Sequence, residues 1–191
     1  MLKLFRSGPP ERETAVAMVG PRPGDALLFL GATDLDLAGR AGAVAGLNGR
    51  TAIVDQTTGL TARIEAVGGK HGALLEHVTA PFGQLPFDTD TFDVAIVPNL
   101  AAWPADERLS RLGEALRVTR LAGRLILIVP AGQSRLFGGA PAITDEEVMM
   151  LLTRLGTVAN RKLARVDRAV YFEARKPRPI SDTSDVSPHQ H

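Results

Sequence analysis

The sequence predicts an α/β protein with a doubly wound, mainly parallel sheet of seven strands that ends in an antiparallel hairpin. Apolar segments alternate with amphipathic segments along most of the 191-residue chain, as in sheets with helices on both faces. Residues 26–30 are continuously apolar, which is typical of a strand buried on both faces. The last two segments alternate apolar and polar residues, which indicates an antiparallel pair. We therefore expect the strand order 3-2-1-4-5-7-6, with one antiparallel strand among the last two.

Composition narrows the class of protein. Apolar residues make up 45% of the chain, which is enough for one sizeable core, and the net charge is +1. This charge gives no global field for binding nucleic acid or an anionic membrane. The absence of cysteine excludes disulfides and thiolate metal sites and fits a cytoplasmic protein. No apolar run is long enough to span a bilayer. We expect an N-terminal extension at 1–10, one domain at 11–176 and a disordered tail at 177–191.

The first half of the chain shows three strand–helix units, and glycines mark the predicted helix ends. Asn48-Gly49 is a good stop for the second helix, and Gly68-Gly69 for the third. The predicted elements are helices at 11–19, 35–47 and 59–67 and strands at 26–30, 51–54 and 73–78.

The second half is predicted from the same signals. Leu109, Leu112 and Leu116 lie on one helical face. Thr144 followed by Glu147 is a capping box that opens the last helix. The predicted elements are strands at 92–97 and 124–129, helices at 106–118 and 144–155, and the terminal strands at 158–166 and 169–174.

One arrangement in this layout is typical of a nucleotide-type cofactor site. A buried strand runs into the turn at Gly31, a helix follows, and the next strand ends in Asp55. Each residue also has a structural interpretation. Gly31 is suited to any tight strand-to-helix turn, and Asp55 could cap a helix or begin a turn. Asp93, which opens the fourth strand, is expected to be structural.

Two ordered blocks carry a resemblance to a known family. Residues 85–96, LPFDTDTFDVAI, and residues 117–125, RVTRLAGRL, resemble the "LPF, acidic turn, FD, strand" and "RVLKPGGRL" blocks of class I S-adenosylmethionine-dependent methyltransferases, in particular the methyltransferase type 11 group. The resemblance covers about residues 12–175. It implies a Rossmann-like methyltransferase fold and S-adenosyl-L-methionine as the cofactor.

The resemblance also implies roles for individual residues. The family's three motif glycines align with Gly31, Thr33 and Leu35, and we expect the Leu35 side chain to crowd the cofactor space. Asp55 matches the acid that binds the ribose hydroxyls. Pro81 stands where the family usually has an acid that reads the adenine amino group. The residues expected to bind the cofactor are Gly31, Ala32, Thr33, Asp55, Gln56, Phe82 and Asn99.

Other residues receive weaker assignments. Asn99 follows the fourth strand, where a turn role is an equal alternative. Trp103 is a candidate substrate-pocket residue, with packing as its alternative. His71 and His77 are interpreted as surface or packing residues. No catalytic residue and no metal site is assigned.

The sequence therefore supports two main hypotheses. The first is an S-adenosylmethionine-dependent methyltransferase for a small-molecule acceptor, with an acceptor site that is open or completed by another subunit. The altered turn and Pro81 predict weak cofactor binding, in the high micromolar range or worse. The second is a non-catalytic, methyltransferase-like subunit that binds or regulates a protein partner. A nicotinamide-dependent enzyme fits less well, because residues 31–36 lack the later glycines of that motif.

Overall fold

The computed structural model describes residues 10–130, 143–166 and 168–179. Most of the predicted N-terminal extension and tail lies outside these ranges. The helices are α1 (Pro10–Val19), α2 (Leu35–Ala45), α3 (Thr61–His71), α4 (Arg108–Val118) and α5 (Asp145–Arg154), and a 3-10 turn spans Leu100–Ala102. The strands are β1 (Ala26–Leu30), β2 (Arg50–Asp55), β3 (Glu76–Thr79), β4 (Phe92–Val97), β5 (Thr119–Pro130), β6 (Val158–Val166) and β7 (Ala169–Arg175).

The sheet has the predicted topology. Its seven strands follow the order β3-β2-β1-β4-β5-β7-β6. β1 to β5 pair in parallel, whereas β7 runs antiparallel to both β5 and β6. The fold-class prediction is confirmed. Because the order reverses beside β1, the carboxyl ends of β1 and β4 flank the crevice where open α/β sheets bind ligands.

The core consists of two apolar layers, one on each face of the sheet. In β1, Leu28 and Leu30 belong to the layer under α4 and α5, and Leu27 and Phe29 to the layer under α1 and α2. This division follows from the alternation of side chains along a strand. It explains why the predicted first strand is apolar at every position.

The end of α3 differs from its prediction. Gly68 and Gly69 do not stop the helix, which continues to His71 and ends at Gly72 with a φ of +68°. Gly68 is needed inside the helix because a Cβ there would lie 2.6 Å from the Ala73 carbonyl oxygen. The longer helix shortens the strand predicted at 73–78 to Glu76–Thr79.

β5 begins earlier than the predicted residue 124. Thr119 already pairs with Phe92, and the register then shifts before Arg124 pairs with Val94. The extra residues form an irregularity in which Ala122 adopts a φ of 59°. Such a bulge is not visible in hydrophobic periodicity, because its residues leave the regular ladder.

Other boundaries move by one or two residues. α2 ends at Ala45 instead of residue 47, and α4 begins at Arg108 instead of residue 106. The capping box of α5 is present as predicted: Thr144 Oγ1 accepts from the Glu147 N–H, and the Glu147 carboxylate accepts from the Thr144 N–H. Within the described ranges, none of the helices has the length and apolar character needed to cross a membrane.

Candidate functional site

The turn after β1 requires a glycine. Gly31 has a φ of +113°, a region that L-residues with side chains rarely adopt, and no atom lies within 4 Å of a Cβ built on it. Its N–H donates to the Val54 carbonyl oxygen at 2.8 Å. The following Asp34 caps α2 by accepting from the Leu37 N–H at 3.1 Å. The turn is therefore closely tied to β2 and leaves open space beside Gly31.

Asp55 at the end of β2 holds this turn. Its Oδ2 accepts from the Ala32 N–H and its Oδ1 from the Thr57 N–H, both at 2.8 Å. Burial opposes ionisation, but the hydrogen bonds from Thr57 and Ala32 and the nearby His77 together lower the pKa of Asp55 below its ordinary value. The carboxylate is therefore ionised at neutral pH. Because a carboxylate has about four acceptor positions, Asp55 can also accept from a ligand.

Two aromatic side chains, Phe82 and Trp103, line the same crevice as Asp55. The rings of Phe82 and Trp103 are stacked with centroids 5.3 Å apart and planes at 27°. The Arg111 guanidinium lies 5.6 Å from the Phe82 centroid and 5.7 Å from the Trp103 centroid, a cation–π arrangement. Glu107, which lies one helical turn before Arg111 in the sequence, forms an ion pair with it. Trp103 therefore packs against its neighbours and also lies at the surface of the pocket, so both interpretations of this residue fit the structure.

Asn99 supplies an unsatisfied acceptor. Its side-chain oxygen is buried and has no hydrogen-bond partner among the described residues. Leaving such a group unpaired is costly, on the order of 1–3 kcal/mol. Asn99 follows the carboxyl end of β4, beside the crevice where open α/β sheets bind ligands.

The structure brings most of the predicted site residues together around one open cavity of about 360 Å³. Ala32 is the exception: it does not line the cavity, although its N–H binds Asp55. Sequence analysis missed Arg111, because an arginine on the polar side of an amphipathic helix carries no positional signal. The predicted residues that line the cavity are Gly31, Thr33, Asp55, Gln56, Phe82, Asn99 and Trp103; the further ones are Leu30, Thr57, Ala102, Pro104 and Arg111.

The expectation that Leu35 crowds the cofactor space is wrong. Leu35 is only 5% exposed, belongs to the apolar layer under α1 and α2, and does not line the cavity. As the first residue of α2, it points toward the core because the helix packs its apolar face on the sheet. Pro81 is exposed and likewise does not line the cavity.

Residues assigned a structural role outside the cavity have clear partners. Asp93 Oδ2 accepts from the Ala26 N–H at 2.7 Å, and its Oδ1 pairs with Arg120 at 2.6 Å. His71 Nε2 lies 2.9 Å from Asp36 Oδ1, and His77 Nδ1 lies 2.9 Å from Thr61 Oγ1. The structural assignment of Asp93 and the packing assignment of His71 agree with these contacts. The described residues contain no cluster of side chains suited to a metal ion.

Comparison with known proteins finds likeness in structure alone. No family model matches the sequence, and no curated protein matches it. An S-adenosylmethionine-dependent methyltransferase from Aquifex aeolicus superposes with a TM-score of 0.72 at 19% identity, covering 86% of this chain and 88% of that one. A putative methyltransferase in complex with the Haloferax volcanii Trm112 methyltransferase activator superposes with a TM-score of 0.67 at 15% identity, covering 88% of this chain and 89% of that one.

A third structure carries ligands. The 1,6-didemethyltoxoflavin-N1-methyltransferase of Burkholderia thailandensis, solved with 1,6-didemethyltoxoflavin and S-adenosylhomocysteine, superposes with a TM-score of 0.62 at 20% identity. The match covers 88% of this chain and 77% of that one. Together with the strand order and the position of the cavity, these likenesses show that the chain has the fold of class I S-adenosylmethionine-dependent methyltransferases.

Proposed function

We propose that this chain binds S-adenosylmethionine in the cavity beside Gly31 and transfers its methyl group to a small-molecule acceptor. One observation carries the proposal: Asp55 and Asn99, whose side chains hold a carboxylate and an unpaired amide oxygen, line the same open cavity at the carboxyl edge of the sheet. Both side chains accept hydrogen bonds, so this part of the cavity suits a ligand rich in donors. S-adenosylmethionine has ribose hydroxyls, amino groups and a sulfonium charge.

The residues present fit this cofactor. The open space next to Gly31 admits a ligand close to the backbone, and the remaining acceptor capacity of the Asp55 carboxylate suits a ribose hydroxyl group. A volume of about 360 Å³ falls within the usual range of small-molecule sites. The assignment to the type 11 group is part of this proposal and is supported by the two sequence blocks at 85–96 and 117–125.

The chain's own contribution is binding, orientation and exclusion of water. When bound, the cofactor supplies an already activated methyl group. Asp55 is placed to orient the ribose, Asn99 to accept from a donor beside β4, and the stacked Phe82 and Trp103 to keep water from one wall. Alignment of two reactants is itself a large part of catalysis. No general base is assigned, because none is needed unless the acceptor must lose a proton.

Binding is expected to be weak. Asp55 provides charge-assisted bonds that contribute roughly 1.5–3 kcal/mol, but Pro81 offers no side-chain acceptor for the adenine amino group. Losing one such bond reduces affinity by about tenfold or more. Because the Leu35 side chain lies in the core, it does not crowd the cofactor and is not a reason to expect weak binding. We therefore expect dissociation constants in the high micromolar range or weaker.

Calorimetry with S-adenosylmethionine and S-adenosylhomocysteine tests the proposal. Asp55→Asn should weaken binding about tenfold or more. Glu65→Gln removes one negative charge from an exposed position on α3 and should leave affinity unchanged. Submicromolar binding by the wild type would overturn the expectation of a weakened site. Equal loss in both variants would mean that only the overall charge matters.

A second candidate function is a non-catalytic subunit that binds or regulates a protein partner. The observation that favours it is that Asp55 accepts from the Ala32 and Thr57 N–H groups and so has a structural role in the turn. A structural neighbour in complex with a Trm112 activator shows that this fold occurs with a protein partner. Absence of binding by the wild type at millimolar cofactor would reject the enzyme proposal and favour this one.

A further inference from the structure

Four arginines surround a second cavity, at the opposite edge of the sheet from the candidate site. We name it the arginine cleft and define it by Arg22, Arg124, Arg161 and Arg175, which line a space of about 440 Å³. They come from the turn after α1 and from β5, β6 and β7. Glu173 is the one acidic residue in its lining.

The position of the arginine cleft follows from the strand directions. Arg124 lies directly opposite Arg175 in the β5–β7 ladder. Because β7 runs antiparallel to β5, its carboxyl end meets the amino-terminal side of the parallel strands. Arg124 also pairs with Val94, near the start of β4. The arginine cleft is therefore separated from the Asp55 cavity by the length of the strands.

Glu173 neutralises only part of this charge. Its side chain is 5% exposed and lies 2.6 Å from Arg161 Nη2 and 3.7 Å from Arg175 Nη2. Within the described residues, no acidic oxygen lies within 4 Å of the Arg22 guanidinium. One carboxylate thus faces several guanidinium groups, which leaves an excess of positive charge in a concave space.

Arg124 is held in place by the backbone. Its Nη1 donates to the Val19 carbonyl oxygen at 2.9 Å and its Nη2 to the Gly20 carbonyl oxygen at 2.6 Å, at the end of α1. A cation at a helix carboxyl end is favourable. Burial and the like charges of Arg22 and Arg175 lower the pKa of Arg124, while Glu173 and Asp25 act in the opposite direction. The like charges are therefore close enough to repel one another.

The other three arginines are accessible to a ligand. The side chains of Arg161 and Arg175 are 63% and 44% exposed, and Arg22 is exposed as well. Guanidinium groups match the oxygens of phosphate and can donate two parallel hydrogen bonds to it. From this geometry we infer that the arginine cleft binds a small phosphate-bearing molecule with at least two negative charges.

A small molecule fits better than a nucleic acid. The adjoining end of the cleft, next to Arg22 and Arg124, is bordered by Asp25 and by the ion pair between Asp93 and Arg120. An extended phosphate backbone that left the cleft on this side would meet the negative charge of Asp25. The net charge of +1 over the whole chain also provides no broad positive surface for a polyanion.

Calorimetry on the full chain with inorganic pyrophosphate, at low ionic strength, tests the inference. We expect saturable binding of one pyrophosphate per chain, weaker binding of inorganic phosphate, and a loss of affinity as salt is raised. Arg22→Gln combined with Arg175→Gln should weaken pyrophosphate binding at least tenfold. Arg63→Gln, an exposed change on α3 that removes one positive charge, should leave pyrophosphate binding unchanged, and circular dichroism should show each variant folded.

Three outcomes would overturn the inference. They are no pyrophosphate binding by the wild type, equal weakening by Arg63→Gln and the double variant, and tighter binding of a single-stranded oligonucleotide than of pyrophosphate. The last result would assign the arginine cleft to nucleic acid. The test uses no methyl donor, so its outcome is separate from that of the proposed methyl transfer.

Discussion

Arg117 Nη2 donates to the carbonyl oxygen of Phe87 at 2.9 Å. The same nitrogen lies 3.2 Å from the Leu85 carbonyl oxygen and 2.7 Å from Glu114 Oε1, and Glu114 in turn accepts from the Leu85 N–H at 2.8 Å. The two sequence blocks that carry the family resemblance, at 85–96 and 117–125, therefore bind each other. Their spacing in the sequence reflects a physical contact between the loop before β4 and the end of α4.

Arg117→Lys should destabilise this contact. A single ammonium nitrogen cannot reproduce the paired bonds that Arg117 Nε and Nη2 donate to the Glu114 carboxylate while Nη2 also contacts the two carbonyl oxygens. We expect the free energy of unfolding to fall by about 1–3 kcal/mol, measured by urea denaturation. Arg63→Lys, on the exposed side of α3, is the matched control and should change it by less than about 0.5 kcal/mol. Equal stability of the two variants would show that the guanidinium hydrogen bonds of Arg117 do not contribute to the free energy of unfolding.

Asp36 should make the stability of the protein depend on pH. It lies 28% exposed between Arg40, Lys70 and His71. Burial raises its pKa, but the hydrogen bonds from these three side chains outweigh burial and hold the pKa well below its ordinary value. Because the pKa of Asp36 is lower in the folded state, its carboxylate contributes its full stabilisation above the unfolded-state pKa of about 3.9. This contribution is lost as pH falls toward the folded-state pKa.

Asp36→Asn tests this dependence. At pH 7 it should lower the free energy of unfolding by about 1–2 kcal/mol, and the difference from the wild type should shrink as pH falls below about 4. The exposed Asp106→Asn should show a difference near zero throughout. A difference for Asp36→Asn that stays constant down to pH 2 would contradict the assignment of the effect to the carboxylate charge.

Leu35→Gly should destabilise the fold without improving cofactor binding. Removing a buried leucine costs about 2–5 kcal/mol, whereas Leu47→Ala, at a position 78% exposed, should cost less than about 1 kcal/mol. Urea denaturation measures both. For the folded fraction of Leu35→Gly, calorimetry should give the wild-type affinity for S-adenosylhomocysteine. Tighter binding would mean that Leu35 does limit the cavity.

Trp103 should report occupation of the Asp55 cavity. It is the one tryptophan of the sequence, so any change in tryptophan emission arises from it. Binding of S-adenosylhomocysteine next to the stacked Phe82 and Trp103 should shift or quench this emission in a saturable way. Pyrophosphate, which we place in the arginine cleft, should leave it unchanged. Calorimetric binding of S-adenosylhomocysteine with constant emission would place that ligand elsewhere.

The sequence by itself determined the fold class of this protein and the order of its elements along the chain. Continuous apolar strands followed by amphipathic helices require a sheet covered on both faces, and the alternating terminal segments require an antiparallel pair. The start of α5 was also determined locally, since Thr144 and Glu147 form the capping box within one turn. Such features depend on residues a few positions apart, so the pattern of the chain contains the necessary information.

Only the tertiary structure decided which side chains meet. Leu35 aligns with a motif glycine, but the packing of α2 on the sheet directs it into the core. Gly68 lies inside α3, where the close approach of the Ala73 carbonyl oxygen requires a residue without a Cβ. The arginine cleft joins residues from four separate segments. Contacts between distant segments are set by packing and chain crossing, and no local propensity or periodicity records them.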